Sequence, residues 1–168
     1  MTEEKEIILS DEMIRQKIRR IAYQIIENNL DESKIIIAGI FDRGYTLAQL
    51  IISELLLIDE HKNLQLVRIE LNKVTPLDSE VIVDCSTKEL DHAVVILVDD
   101  VLNSGKTLAY AMRELLKADI RKIETAVLVN RSYKKFPVSA KYMGYELSTT
   151  INEHVEVNLT DEFAVYLK

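Results

Sequence analysis

The hydrophobic positions of this chain follow two alternating periods. Apolar residues that recur every three to four positions predict helices over 11–28, 45–58 and 106–118, and Ser10 suits the N-cap of the first helix. Compact apolar runs predict strands over 34–40, 64–71, 93–98 and 123–129. Helices that alternate with buried strands in this way are typical of an α/β fold. We therefore expect a mostly parallel, twisted sheet with helices on both faces.

The remaining segments differ in pattern. Residues 141–145, 154–159 and 163–167 resemble short strands, which we interpret as a small cap that closes over the sheet. Residues 72–92 are polar, contain a proline and lack a clear period, so they predict a flexible hood loop. No linker or internal repeat interrupts the chain. We expect residues 1–168 to form one domain.

The segment from Val94 to Thr107 carries the most chemical information. Five apolar residues are followed by Asp99 and Asp100, and then by a short loop that opens a helix. In a parallel α/β sheet, ligands bind beyond the carboxyl ends of the strands. Carboxylates accept hydrogen bonds from sugar hydroxyls, whereas a helix start with small and hydroxyl-bearing residues suits a phosphate. The segment therefore predicts a site for a ribose phosphate.

A second loop, at residues 39–44, also lies between a predicted strand and a predicted helix. Gly44 allows a close approach of the backbone, and Arg43 can bind an anion with two parallel hydrogen bonds. Taken alone, the loop is also compatible with a surface arginine beside a turn glycine. Together, the two loops would bracket a ligand with phosphate groups at both ends.

The acidic segment has three other possible interpretations. Gly105-Lys106-Thr107 resembles the end of a Walker A loop, but that motif requires glycine where Asp100 stands. The pair Asp99-Asp100 also resembles the acidic pair of a phospho-receiver domain, which follows the first strand rather than a later one. The simplest alternative is two strand-end aspartates that cap a helix.

Composition narrows the possible partners. The chain has 28 acidic and 21 basic residues and a net charge of −7, which argues against a protein that mainly coats nucleic acid. Cys85 is the only cysteine, so neither an intrachain disulfide nor a cysteine metal cluster can form. No apolar run approaches membrane-spanning length, and the acidic start does not resemble a signal peptide. We expect a cytoplasmic protein.

The acidic segment and its loop resemble the signature of the type I phosphoribosyltransferases. The resemblance implies that Asp99 and Asp100 hold the ribose hydroxyls of phosphoribosyl pyrophosphate and that residues 103–107 hold its 5′-phosphate. It also implies that the Arg43-Gly44 loop receives the diphosphate. The substrate-binding set implied in this way is Asp42, Gly44, Val101, Leu102, Asn103, Ser104, Gly105, Lys106, Thr107, Asn130 and Arg131.

Residues 8–12, 19–22, 96–102, 126–131 and 137–144 extend the resemblance over nearly the whole chain. Within the family they resemble the PyrR branch, which joins uracil phosphoribosyltransferase activity to regulation of pyrimidine genes. This resemblance implies uracil as acceptor, a base pocket around Asn130 and Arg131, and Mg²⁺ held by Asp99 and Asp100 indirectly, through the bound diphosphate sugar. Lys73 stands where the branch carries an arginine in its mobile loop, and it keeps the charge without the planar fork. We expect Asp99, Asp100, Arg43 and Lys73 to carry catalysis.

Partners and alternatives follow from the same comparison. The basic residues of the first helix leave RNA binding open, because a solvated helix face explains them equally well. The helix at 45–58 has more apolar residues than one buried stripe needs, which predicts a homodimer or a larger homo-oligomer. Two alternative functions remain: a nucleotide-sensing RNA regulator, and a purine phosphoribosyltransferase, which Asn103 and Asn130 disfavour.

Overall fold

The computed structural model describes residues 5–168, which form nine strands and four helices. The helices are α1 (Asp11–Asn28), α2 (Arg43–Ile58), α3 (Thr87–Leu90) and α4 (Lys106–Leu115). The strands are β1 (Glu6–Leu9), β2 (Lys34–Ile40), β3 (Asn63–Glu70), β4 (Ile82–Val83), β5 (Val94–Leu102), β6 (Lys122–Arg131), β7 (Tyr142–Leu147), β8 (Val155–Asn158) and β9 (Ala164–Leu167).

Six strands form the main sheet, in the order β4-β3-β2-β5-β6-β7. Neighbouring strands of this sheet pair in parallel, except that β4 is antiparallel to β3. A separate antiparallel sheet has the order β1-β9-β8. This arrangement confirms the predicted α/β class with a mostly parallel sheet.

The main sheet separates two hydrophobic cores, because successive side chains of a strand point to opposite faces. On β2, Ile35 and Ile37 pack with α1, α2 and the small sheet. Ile36 and Ala38, the residues between and after them, pack with α4 and α3 on the other face. Helices therefore cover both faces, as the sequence predicts.

The tail departs from the prediction in one respect. Residues 142–147 form β7, the edge strand of the main sheet, rather than part of the cap. Only β8 and β9 of the predicted cap strands lie in the small sheet, where β1 supplies a third strand that the pattern did not predict. The reason is that β7 contributes to the hydrophobic core, where Tyr142 is buried against α1 and β6.

The strand that carries the acidic pair is longer than predicted, and the helix after it is shorter at its C-terminal end. β5 continues through Leu102, because Val101 and Leu102 still pair with Val129 and Asn130 of β6. Its pairing with β2 ends at Val98. Asp99 and Asp100 thus lie within a strand extension that has a neighbour on one side only.

The predicted hood loop at 72–92 divides into two parts. Its second half contains β4 and α3, and buried Val81 and Leu90 anchor it to the core. A capping box between Ser86 and Glu89 fixes the start of α3. Residues 72–80 are exposed except for buried Pro76, and a mobile loop can be confined to this segment.

An ionic cluster surrounds the side chain of Glu124 in β6. The Glu124 side chain, 4% exposed, accepts a hydrogen bond from the Tyr142 hydroxyl at 2.5 Å. Lys141 Nζ lies 2.6 Å from Glu124 Oε2, and Lys122 Nζ lies 3.1 Å from Oε1. This buried carboxylate therefore has a cation beside each of its two oxygens.

Among residues 5–168, no helix combines the length and the apolar character needed to cross a bilayer.

Candidate active site

The candidate site lies where the strand order of the main sheet reverses direction. After β2 the chain adds β3 on one side, and it then crosses over to place β5 on the other side of β2. The connections that leave β2 and β5 therefore separate and open a crevice between them. Such switch points are the usual ligand sites of open α/β sheets.

A cavity of about 430 Å³ occupies this crevice. The loops after β2 and β5 both contribute to it, and Lys73 reaches it from the segment after β3. The predicted site residues that line it are Asp42, Arg43, Lys73, Asp99, Asp100, Val101, Leu102, Asn103, Ser104, Gly105, Lys106 and Thr107. Three residues outside the predicted set also line it: Phe41, which lies within the loop at 39–44, Leu108 and Val155.

The two carboxylates face this cavity from a largely buried position. Asp99 is 3% exposed and Asp100 is 6% exposed. Asp99 Oδ1 accepts a hydrogen bond from the Asp100 backbone N–H at 2.9 Å. Burial and the neighbouring Asp100 raise the pKa of Asp99 well above its ordinary value, although Lys73 opposes this shift. The pair is thus poorly solvated before a ligand binds.

Gly44 brings the start of α2 against Asp99. A Cβ atom at this position would lie 2.8 Å from the Val98 carbonyl oxygen and 2.9 Å from Asp99 Cα. Only a residue without a side chain allows this approach of two backbones. Gly44 does not line the cavity itself; it sets the distance between the Arg43 loop and the acidic pair. The peptide bond that precedes this loop, Phe41–Asp42, is cis.

The loop after β5 forms a cradle at the start of α4. Gly105 is the N-cap and has a φ of 88°, a conformation that glycine adopts without strain. The Ser104 hydroxyl accepts a hydrogen bond from the Lys106 N–H, and the Ser104 carbonyl accepts from the N–H groups of Lys135 and Phe136. These hydrogen bonds fix the conformation of the cradle. The N–H groups of the first helical turn lack intrahelical acceptors. Such a helix start can bind an anion.

Two lysines connect the segment after β3 to this site. Lys73 Nζ lies 3.4 Å from Asp99 Oδ1. Lys106 Nζ donates to the Val74 carbonyl oxygen at 2.9 Å. The Asn72 side chain in turn accepts hydrogen bonds from the N–H groups of Val74 and Thr75. Together these contacts hold residues 72–75 beside the cavity and supply it with positive charge.

Asn130 and Arg131 lie outside the cavity lining. Asn130 Oδ1 accepts a hydrogen bond from Lys134 Nζ at 2.7 Å. Arg131 is 6% exposed and donates to Asn103 Oδ1 at 2.8 Å, so it lies behind the cradle. A direct contact between these two side chains and a base stays a prediction.

The carboxylates alone do not form a protein metal site. Within residues 5–168, no three Asp, Glu, His or Cys side chains converge as a set of metal ligands. Asp99 and Asp100 are nevertheless oxygen donors, which suit Mg²⁺. They fit a metal that shares its remaining ligands with a bound diphosphate sugar, which is the indirect role expected for them.

The surfaces proposed for RNA and for a second subunit are mixed in character. On α1, Arg15 pairs with Asp11 and Arg19 pairs with Glu54. On α2, six of the eight leucine and isoleucine side chains face the core or pack partly against it, whereas Leu56 is 42% exposed and Leu57 is 78% exposed. RNA binding and self-association both stay predictions.

The comparison by sequence identifies a family. The model of the phosphoribosyl transferase domain matches residues 5–162. A protein of Streptococcus thermophilus named "Bifunctional protein PyrR" is 35% identical over 161 residues, which covers 94% of this chain and 91% of that protein. A protein of the same name from Bacillus cereus is 33% identical over 174 residues and covers 95% and 93% of the two chains.

Solved structures share the fold at lower identity. A hypoxanthine phosphoribosyltransferase of Trypanosoma cruzi superimposes with a TM-score of 0.76 at 16% identity and covers 95% of each chain. A hypoxanthine-guanine phosphoribosyltransferase of Bacillus anthracis gives a TM-score of 0.72 at 18% identity, over 86% of this chain and 84% of that one. The crevice, the acidic pair and the cradle thus stand in a fold that is shared with these enzymes. The chain belongs to the phosphoribosyl transferase domain family.

Proposed function

We propose that this protein transfers the ribosyl-5-phosphate group of phosphoribosyl pyrophosphate to a pyrimidine base, and that the base is uracil. One observation carries the proposal: a single cavity is lined by a carboxylate pair, a helix-start cradle and an arginine loop. These three features match the sugar hydroxyls, the 5′-phosphate and the diphosphate of one substrate.

Each feature has a separate task. The carboxylates of Asp99 and Asp100 accept hydrogen bonds from the ribose hydroxyls and fix the sugar in orientation. The N–H groups and hydroxyls of residues 103–107 bind the 5′-phosphate. Because Gly44 holds the Arg43 loop against Asp99, the diphosphate and the sugar are bound at a fixed separation.

Charge neutralisation is the main catalytic requirement. As the bond from C1 of the ribose to the diphosphate breaks, negative charge grows on the leaving group and positive charge grows on the sugar. Arg43 and Lys73 are placed to stabilise the leaving group. Asp99 and Asp100 would hold Mg²⁺ indirectly, through the bound diphosphate sugar, and the ion would supply further positive charge. Among residues 5–168, no histidine lines the cavity. We assign Asp99 and Asp100 to the ribose hydroxyls, and we assign no side chain as general base.

The choice of uracil rests on the sequence relatives and on the resemblance to the PyrR branch. The structural neighbours are hypoxanthine enzymes at 16–18% identity. Similarity at this level supports the shared fold but does not identify the base. A purine acceptor is therefore the alternative to test.

The test measures diphosphate released from phosphoribosyl pyrophosphate with Mg²⁺ and, in turn, uracil, hypoxanthine, guanine, adenine and orotate. We expect release with uracil only, and its loss in the double variant Asp99→Asn, Asp100→Asn. Release with a purine base alone would replace the acceptor in this proposal. No release with any base, together with no binding of phosphoribosyl pyrophosphate in calorimetry, would contradict the proposed activity.

A further inference from the structure

Each nitrogen of the Arg131 guanidinium group has a hydrogen-bond acceptor behind the cradle. Its Nη1 donates to Asn103 Oδ1 at 2.8 Å. Its Nε and Nη2 both donate to Thr149 Oγ1, at 2.9 and 2.7 Å, and Nη2 also donates to the Glu153 carbonyl oxygen at 2.8 Å. An arginine that is 6% exposed and bonded in this way has little capacity left for a substrate.

These contacts determine how the Asn103 amide is turned. Arginine carries only hydrogen-bond donors, so the group of Asn103 that faces it must be the amide oxygen. The NH₂ group of Asn103 is then the polar end that remains available. Asn103 lines the cavity at the first position of the cradle loop, where a donor suits phosphate oxygens and an acceptor would repel them.

The same guanidinium joins three segments of the chain. Arg131 is the last residue of β6, Asn103 follows β5, and Thr149 and Glu153 belong to the connection between β7 and β8. Val155, at the start of β8, lines the cavity from the side of the small sheet. One side chain therefore ties the cradle to the segment that leads to the opposite wall of the cavity.

From this geometry we propose that Arg131 is a positioning residue for the sugar phosphate. It holds the Asn103 amide with its NH₂ group toward the 5′-phosphate and keeps residues 149–153 against the cradle. This inference rests on the proposed function, because the phosphate belongs to the proposed substrate. It replaces the direct role in base binding that the sequence suggests for Arg131.

The experiment measures the affinity for phosphoribosyl pyrophosphate with Mg²⁺ by calorimetry in Asn103→Ala, Arg131→Met and the double variant. If Arg131 acts through Asn103, each single change weakens binding about tenfold or more. The double variant then binds about as well as Asn103→Ala alone, because the orientation of a missing amide no longer matters. Arg131→Lys retains the positive charge and N–H donors on one nitrogen, and it should recover part of the affinity.

Arg121→Gln is the matched control for loss of an arginine charge. Arg121 lies just before β6, at the other end of this strand from Arg131, and pairs with Glu32. We expect unchanged affinity in this variant. Independent, multiplying losses in the double variant, or wild-type affinity in Arg131→Met, would overturn the inference.

Asn103→Asp keeps the inference testable even if Arg131→Met fails to fold. Aspartate accepts the Arg131 hydrogen bond but has no donor for the phosphate, so the thermal midpoint should be retained while the affinity falls at least tenfold. Wild-type affinity in this variant would contradict the role of the amide. If the wild-type protein itself fails to bind phosphoribosyl pyrophosphate, the proposed function fails instead.

Discussion

The ammonium group of Lys73 lies 3.4 Å from Asp99 Oδ1 and opposes the rise of the Asp99 pKa that burial and Asp100 cause. Lys73 lies in the segment after β3 and Asp99 lies in β5, and the chain between them crosses over β2. Lys73 thus offsets part of the cost of keeping a carboxylate in a poorly solvated position. The proposed contact of Asp99 with sugar hydroxyls therefore comes at the expense of folding stability.

This relationship predicts opposite effects of Asp99→Asn on stability and on binding. A raised pKa means that folding stability is lost as the pH rises from the unfolded value of 3.8 toward the folded one. The uncharged variant should therefore be more stable at pH 7.5, by about 1–2 kcal/mol, which is about 3–6 °C in the thermal midpoint. Its affinity for phosphoribosyl pyrophosphate should fall about tenfold or more. The stability gain should shrink at pH 4, and an equal gain at both pH values would contradict this origin.

Glu124 predicts loss of stability in acid. Burial raises its pKa, but hydrogen bonds from Lys141, Tyr142 and Lys122 outweigh that effect and lower the pKa from 4.5 to about 2. Its contribution, about 3 kcal/mol from the size of that shift, is present above pH 4.5 and is lost as the pH falls toward 2. Denaturant unfolding of Glu124→Gln should show lower stability at pH 7 and a shallower decline between pH 5 and 3. Parallel declines for both proteins would refute this assignment.

Gly44→Ala should damage the site through the backbone. The added methyl group would meet the Val98 carbonyl and Asp99 Cα, so we expect a loss of about 1–3 kcal/mol in unfolding free energy and weaker diphosphate-sugar binding. Thr46→Ala, in the same helical turn but outside the cavity lining, is the control and should change stability by about 1 kcal/mol or less. Equal behaviour of the two variants would show that the close approach is not required.

Hydrogen exchange should divide the hood loop at about residue 80. Val74 and Leu77 are 78% and 66% exposed, so amides of residues 73–80 should exchange rapidly in the free protein. The amide of Asp84, which donates to the Arg68 carbonyl, and those of α3 should exchange slowly. Mg²⁺ and phosphoribosyl pyrophosphate should slow exchange near Lys73. Slow exchange of 73–80 without ligand would contradict the prediction.

Self-association, if it uses α2, should depend on Leu57. Leu57 and Ile58 form a shallow groove with Tyr23 of α1, and Tyr23 is 50% exposed. We expect light scattering to give a dimer mass or higher, and Leu57→Glu to lower it to one chain of 19.3 kDa. Leu116→Glu, a 63% exposed leucine after α4, is the control and should leave the mass unchanged. A monomeric wild-type protein would end this proposal.

The sequence predicts those parts of the structure whose determinants are local. The bounds of β2 agree with its apolar run, and α1 begins after the predicted Ser10 cap. The extension of β5 could not be inferred in this way, because it depends on pairing with residues of β6 that lie about thirty positions later. The place of β7 in the main sheet also depends on distant residues, those of α1 and β6. Its own pattern therefore predicts only a cap strand.

The candidate site shows the same division. Lining residues that belong to a motif, such as Asp99 and Arg43, are identifiable from their neighbours in the chain. Val155 has no local signal, because only the packing of the small sheet brings it to the cavity. The placement of Arg131 behind the cradle likewise depends on Thr149 and Glu153, which no periodicity connects to it.

The strand order of the main sheet also links ligand binding to the completeness of folding. The arginine loop and the cradle are separated by about sixty residues, and they meet only when β5 has inserted between β2 and β6. A chain that has formed β2 and β3 alone has no crevice, so a partly folded form cannot bind the diphosphate sugar. The ligand would therefore stabilise only the finished sheet, and its concentration would shift the unfolding equilibrium as a whole.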